Sequence, residues 1–276
     1  MSEQPHRYLV PSSENEADRL RLQSKLIERP SLFVLEKVGL NAGMSALDVG
    51  CGAGNLMRLI GNIVGPAGTV TGIDLNAELG ERVVVELNRE AAAHYEFIAG
   101  NFLEMTAPPG APFDLVVSRL VFSHLRDPKP AMRKLWEWTR PGGWLAIMEH
   151  DFRMIESVPE TEAATMMRQL IHRVHEQAGL DPRRGSKLPS LLHEAAGGAP
   201  DGVEVTTGLL SAQDIAIYLP GSYEAYSAAA QRVGLRDMPP PGEFVASLRS
   251  ALDDDLRFFL PLLVSTWKQK PATAST

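Results

Sequence analysis

Nine residues, LDVGCGAGN at 47–55, constrain the fold of this chain more than any other stretch. A short apolar run, MSALDV at 44–49, leads into glycines at 50, 52 and 54, and a helix is expected from about Leu56. Glycine is needed where a backbone turns sharply or where a ligand approaches the main chain closely. The helix that follows offers unpaired N–H groups at its start. A second carboxylate, Asp74, ends the next apolar run 20 residues after Gly54 (74 − 54 = 20). That spacing sets an acceptor beside a ribose in nucleotide-binding βαβ units. A hydride-transfer fingerprint would want a third glycine at position 55. That residue is Asn55, so the pyrophosphate reading loses ground.

The surrounding rhythm agrees with such a unit. Apolar runs start near residues 44, 69, 94, 113 and 144 (MSALDV, TVTGID, HYEFIA, FDLVVS, WLAIME), with helix-length intervals between most of them. Strands alternating with crossover helices predict a parallel α/β sheet buried on both faces. In one connecting helix Asp127 can cap, Pro128 suits the first turn, and Ala131, Leu135 and Trp138 share a face. Pro141-Gly142-Gly143 is expected to break the chain before the fifth strand. Upstream, Ser13 and Glu16 form a capping-box pattern. Pro30 is read as the end of that first helix and Ser31 as the cap of a second, closed by Gly39.

Beyond residue 151 the pattern turns mostly helical. A helix over 159–178 stopped by Gly179, a shorter one over 188–196, a sixth strand over 203–210 and a seventh over 260–268 are predicted. Met154, Met166, Met167, Tyr218, Tyr223, Tyr226 and Phe244 could line an apolar pocket, although such stripes more often form plain core. The resulting organisation is an N-terminal helical arm (1–40), a central core (41–152) and a helical lid with the last two strands (153–276).

Composition closes off other classes. The chain has 276 residues, 44% hydrophobic and 22% charged, which is ordinary for a folded protein. Its net charge is −7 with scattered basic residues, which argues against a nucleic-acid partner. One cysteine allows neither an internal disulfide nor a cysteine-built zinc cage. Neither a signal peptide nor a membrane span is read, so a cytoplasmic protein is expected. Homo-oligomerisation is left open.

Five segments, in order and at the right spacing, carry a family resemblance: LDVGCGAGN, GIDLN (72–76), IAGNFLEM (98–105), FDLVVSRLVFSHL (113–125) and RPGGWLAIMEHDF (140–152). Together they closely resemble the class I S-adenosylmethionine-dependent methyltransferases. YLVPSSENEADRLRLQ and GLDPRRGSKLPSLL are similar to a bacterial subgroup with small-molecule, natural-product substrates. The resemblance implies a Rossmann-like, seven-stranded, mostly parallel sheet with helices on both faces, an N-terminal helical arm and a helical lid insertion. It implies S-adenosylmethionine as cofactor, S-adenosylhomocysteine as product, and no metal.

Carried over by position, the resemblance makes Gly50, Cys51 and Gly52 line the methionine part of the cofactor, with Gly54 completing the loop. Asp48 would order the loop. Asp74 would accept both ribose hydroxyls and Leu75 would lie against the adenine. Asn101, where many relatives have Asp, would accept from the adenine amino group without supplying charge. Phe102 would add an apolar wall, and Ser118 or Arg119 would meet the methionine end. Tyr8, Arg19 and Gln23 would sit on an arm closing over the cofactor, or equally on a helix packed on the sheet.

His124, just beyond the fourth strand, is the best-placed general base, with a free pKa near 6.5 suited to proton transfer. A histidine so placed more often caps or packs the following helix. Glu149, His150 and Asp151 alternate along a strand and would not converge on one ion. Ser118-Arg119 stands where metal-dependent relatives carry carboxylates, and His172 with His175 lacks a third ligand. Cys51 reads as a packing residue, although a helix N-terminus can activate a thiol. The expected activity is methyl transfer to a small, largely apolar acceptor at O, N or C. Protein or RNA methylation, or a regulatory protein that binds the cofactor without turnover, are the alternatives.

Overall fold

The computed structural model describes residues 24–272. The expectations for Tyr8, Arg19, Gln23 and the Ser13–Glu16 cap lie outside those residues. In chain order the first elements are α1 (Glu28–Lys37), β1 (Ser45–Val49), α2 (Asn55–Val64), β2 (Thr69–Asp74), α3 (Ala77–Glu90), β3 (His94–Ala99), β4 (Phe113–Arg119), α4 (Lys129–Trp138) and β5 (Thr139–Asp151). There follow β6 (Glu156–Val158), α5 (Glu162–Ala178), α6 (Arg184–Ala196), β7 (Gly202–Thr206), β8 (Leu209–Leu210), α7 (Ala212–Arg232), α8 (Pro241–Ala251), β9 (Arg257–Phe259) and β10 (Leu262–Gln269). A 3₁₀ turn, Phe122–His124, follows β4.

The seven-stranded sheet has the order β3-β2-β1-β4-β5-β10-β7. Pairings β1–β2, β2–β3, β1–β4 and β4–β5 are parallel. Backbone bonds of 2.8 Å from Gly142 to Lys270 and from Lys270 to Gly143 join the start of β5 to the residue after β10, so β10 runs the other way. Strand order reverses between β1 and β4, and in open α/β sheets ligands bind at the carboxyl ends of strands flanking such a reversal.

The chain divides into two compact units. The sheet unit comprises 28–149, 184–205 and the described residues from 263. Its core joins Leu47, Val49 and Val116 of the strands to Ala131, Leu135 and Trp138 of α4 and to Leu188 and Leu192 of α6. These are the positions that strand alternation and helical periodicity mark as apolar.

The other unit holds 150–183 and 206–262 together with the described residues up to 27. Here β6, β9 and β8 form a three-stranded antiparallel sheet. Its core is built by α5, α7 and α8, with Tyr223 stacked on Phe244 at 4.0 Å. Met167, Tyr218, Tyr223 and Phe244 are buried in that core, while Met166 and Tyr226 pack partly buried against it.

Three local expectations change. α1 runs through Pro30, because proline is tolerated in a first turn whose N–H groups lack helical partners. Ser31 is therefore a buried helix residue and not a cap. Pro141-Gly142-Gly143 lies within β5, where a register shift between Phe113 and Leu115 on β4 absorbs the irregularity. VEVTTGLL is two strands, β7 in the large sheet and β8 in the small one, separated at Thr207-Gly208. Among the described residues no helix is long and apolar enough to cross a membrane.

Candidate active site

At the carboxyl end of β1 the chain bends at Gly50, whose φ of 79° is left-handed. A Cβ there would lie 2.2 Å from Cγ2 of Val121, so both conformation and space demand glycine. The N–H groups of Gly50 and Cys51 donate to Ile73 O at 2.7 and 3.1 Å. The Gly52 N–H donates to Asp74 Oδ2 at 2.9 Å, and Asn76 N–H donates to Oδ1 at 2.9 Å. α2 then starts at Asn55 with no side-chain cap. Its first-turn N–H groups and the positive end of its dipole lie at the loop.

Asp48 lies beneath this loop, 1% exposed. Burial pushes its carboxyl up to about 7; the Arg119 guanidinium opposes this and the Asp74 charge adds to it. Its Oδ2 has no hydrogen-bond partner among the described residues, an uncommon state for a buried oxygen. Arg119 ends β4 and donates from Nη1 to Ser31 Oγ of α1 at 2.9 Å. Burial lowers the pKa of this guanidinium, whereas Asp48 and Glu28 act to raise it. Burial also pushes the Cys51 thiol far up, and the Asp48 and Asp74 carboxylates reinforce this. A Cβ on Gly72 would meet Cys51 Sγ at 2.7 Å, so the thiol packs over β2.

The structure brings Asp48, Gly50, Cys51, Gly52, Gly54, Asp74, Ser118 and Arg119 to the carboxyl ends of β1, β2 and β4. Leu75, following Asp74, is 44% exposed, unusual for a leucine beside a buried strand. Asn101 spends its side chain locally, accepting from Leu103 N–H at 3.1 Å and donating to Glu104 at 2.8 Å. Its segment is tied to the site by the Gly100 N–H to Asp74 O bond of 2.9 Å. Phe102 is buried in the sheet-unit core. Ser118 is fully buried and donates to Val49 O at 2.9 Å, which pins β4 to β1.

His124 closes the 3₁₀ turn after β4. Leu120, between Arg119 and that turn, has φ 61°, a left-handed state that costs a branched residue about 1–2 kcal/mol. Such strain persists where surrounding structure imposes it, most often at functional sites. Among the described residues no group of three or more His, Cys, Asp or Glu side chains could hold a metal ion. Within the other unit, His172 Nε2 pairs with Phe152 O at 2.9 Å and His175 Nδ1 with Ile171 O at 2.8 Å. Sequence reasoning missed Glu28, Ser31 and Leu120. Glu28 and Ser31 reach the site because α1 returns to the end of β4, which no spacing within the motifs encodes.

A model of the methyltransferase domain family matches residues 19–196, more than half of the chain. The chain belongs to the class I S-adenosylmethionine-dependent methyltransferases. Among its relatives, the ubiquinone/menaquinone biosynthesis C-methyltransferase of Hahella chejuensis is 31% identical over 120 residues, 42% of this chain and 47% of that one. The demethylmenaquinone methyltransferase of Lactococcus lactis is 28% identical over 115 residues, 42% and 45% of the two chains. The chain thus spans about half the length of the curated relatives it matches. In fold it is similar to the geranyl diphosphate C-methyltransferase of Streptomyces coelicolor A3(2), solved with Mg2+, geranyl diphosphate and S-adenosylhomocysteine. That likeness has a TM-score of 0.51 at 13% identity and covers 96% of this chain and 85% of the other. The YcgJ protein of Bacillus subtilis gives a TM-score of 0.55 at 12% identity, covering 89% of this chain and 100% of the other.

Proposed function

We propose that this methyltransferase carries the methyl group of S-adenosylmethionine to a small, largely apolar acceptor. The observation that carries the reading is the pair of carboxylates flanking the glycine loop. Asp74 is fixed by the Gly52 and Asn76 N–H groups, and Asp48 presents a buried oxygen that no described group satisfies. The cofactor's groups fit these residues: a ribose diol needs paired acceptors, and an ammonium needs an anion.

A carboxylate has about four acceptor positions. Asp74 accepts from the Gly52 and Asn76 N–H groups at the loop, and the same carboxylate would accept the ribose hydroxyls. Asp48, when ionised, attracts the cationic methionine end, and Arg119 beside it suits the carboxylate of that end. Leu75 and Phe102 supply apolar surface for the adenine, with Asn101 at its amino group. Bound here, S-adenosylmethionine would supply an electrophilic methyl on a sulfonium whose leaving group is neutral. The protein's task is then to orient the acceptor, exclude water and receive a proton. His124 holds that proton. We extend the proposal to a metal-independent reaction, supported by Arg119 standing where a carboxylate would recruit a cation. Relatives named for quinones, sterols and geranyl diphosphate support an apolar acceptor.

Label transfer from methyl-tritiated S-adenosylmethionine to a panel of phenols, hydroquinones, amines and prenylated aromatics tests this. Labelling of at least one apolar acceptor, undiminished by EDTA, is expected. Labelling confined to protein or RNA, or no labelling despite tight cofactor binding, would overturn it. With the acceptor so found, His124→Ala should lower kcat about 100-fold or more at unchanged cofactor affinity.

A further inference from the structure

The short turn that carries His124 is gripped at both ends by buried charged side chains. The Ser123 N–H donates to Glu149 Oε2 at 2.8 Å. Glu149 ends the buried stretch of β5 assigned to the sheet unit and is 1% exposed. On the far side of the turn, Arg184 Nη2 donates to Leu125 O at 2.9 Å. Arg184 opens α6 and is 6% exposed. A third restraint enters from below, where the Leu120 N–H donates to Met148 O at 2.9 Å and Leu120 itself is left-handed.

Burying a charge is unfavourable unless specific hydrogen bonds compensate it. Here such bonds run to two backbone groups two residues apart, the Ser123 N–H and the Leu125 carbonyl, one side chain accepting and the other donating. A turn needing only to cross from β4 to α4 could satisfy Ser123 and Leu125 with solvent or with neutral side chains. Charge-assisted bonds are shorter and stronger than neutral ones, and they fix a backbone in one arrangement.

We propose that Glu149 and Arg184 are positioning residues for methyl transfer. Between them they clamp the Phe122–His124 turn so that the end of β4 and His124 keep one geometry through the reaction. The functional part rests on the reading of His124 above; the clamp itself does not.

Deuterium exchange over residues 120–126 tests the clamp without any acceptor, with S-adenosylhomocysteine binding as the control on the cofactor site. Glu149→Leu and Arg184→Met should each speed exchange in that segment at least tenfold, with S-adenosylhomocysteine affinity kept within threefold. Glu149→Gln retains an oxygen that can accept from Ser123, so it should restore most of the protection and of the kcat. If Glu149→Leu does not fold, Arg184→Met and Glu149→Gln decide the matter. Unchanged exchange in Arg184→Met would overturn the clamp. So would exchange that rises equally across β1 and β4, which would make both residues general core supports. A Glu149→Gln variant that keeps its protection but loses turnover would overturn the positioning role, because the carboxylate itself would then be needed. If the exchange results hold while His124→Ala keeps full activity, the clamp stands and the base assignment falls.

Discussion

After β1 the chain turns on glycines at 50, 52 and 54 and leaves its backbone open, whereas after β4 it turns on a leucine at 120 held by neighbouring groups. Both bends lie at carboxyl ends of adjacent strands. The first is open at its middle, where a Cβ on Gly52 would meet nothing within 4 Å, and closed at its two outer glycines by Val121 and Val83. Its N–H groups donate to the end of β2, those of Gly50 and Cys51 to Ile73 O and that of Gly52 to the Asp74 carboxylate. The second is dense, buried and restrained from β5 and α6. On the proposed reading, a bend that admits a cofactor keeps space and donors, while a bend that holds the general base is fixed by its surroundings. The two meet where Gly50 lies under Val121, so neither can shift alone.

Gly50→Ala attacks that meeting point and should have the largest effect. Overpacking against Val121 and a left-handed alanine together should cost roughly 3 kcal/mol, which thermal unfolding would register as a fall of roughly 6–12 °C. Adding Val121→Ala should recover the steric part only. Full recovery would mean that the left-handed bend itself carries no strain, and the contrast with Leu120 would weaken.

Asp74→Ala removes the carboxylate that organises the open bend. S-adenosylhomocysteine affinity should fall about 10- to 100-fold, in line with about 1.5–3 kcal/mol for hydrogen bonds to a charged group. Unchanged affinity in calorimetric titration would remove Asp74 from the ribose site.

Asp48→Asn probes the charge beneath the loop. With its folded-state value raised to about 7, Asp48 keeps a proton in the folded chain that the unfolded chain has already released. Its effect on folding is therefore a loss of stability as pH rises from about 4 to about 7. On the proposed assignment cofactor binding runs the other way, since the ionised form attracts the ammonium. Affinity should rise about tenfold between pH 6 and pH 8 in the wild type, and the Asn variant should lack that part of the dependence. A wild-type profile that does not change over this range would contradict the assignment.

The open bend was legible in the sequence because its demands are local. Glycines at fixed offsets, Asp48 before them and Asp74 after them specify it within 27 residues (74 − 48 + 1 = 27). The strand and helix alternation was legible for the same reason, as burial on both faces of a parallel sheet leaves continuous apolar runs. The clamped bend was not. Glu149 stands in a resemblance motif where the sequence weighs it only as one of three alternating residues that would not converge on an ion, and Arg184 lies 59 residues beyond Leu125. Their meeting depends on the topology that returns α6 to the sheet unit. The small sheet of β6, β8 and β9 escaped for another reason: its strands have two or three residues, too few to show a period of two. Pro30 misled because one residue cannot reveal whether it opens or ends a helix.

The central claim is that the glycine loop and Asp74 form a site for S-adenosylmethionine and not for a dinucleotide. Parallel calorimetric titrations of the full chain with S-adenosylhomocysteine and with NAD test it most directly. One-to-one binding of S-adenosylhomocysteine in the micromolar range, with no saturable heat from NAD, is the expected result; tight NAD binding with no response to S-adenosylhomocysteine would contradict it.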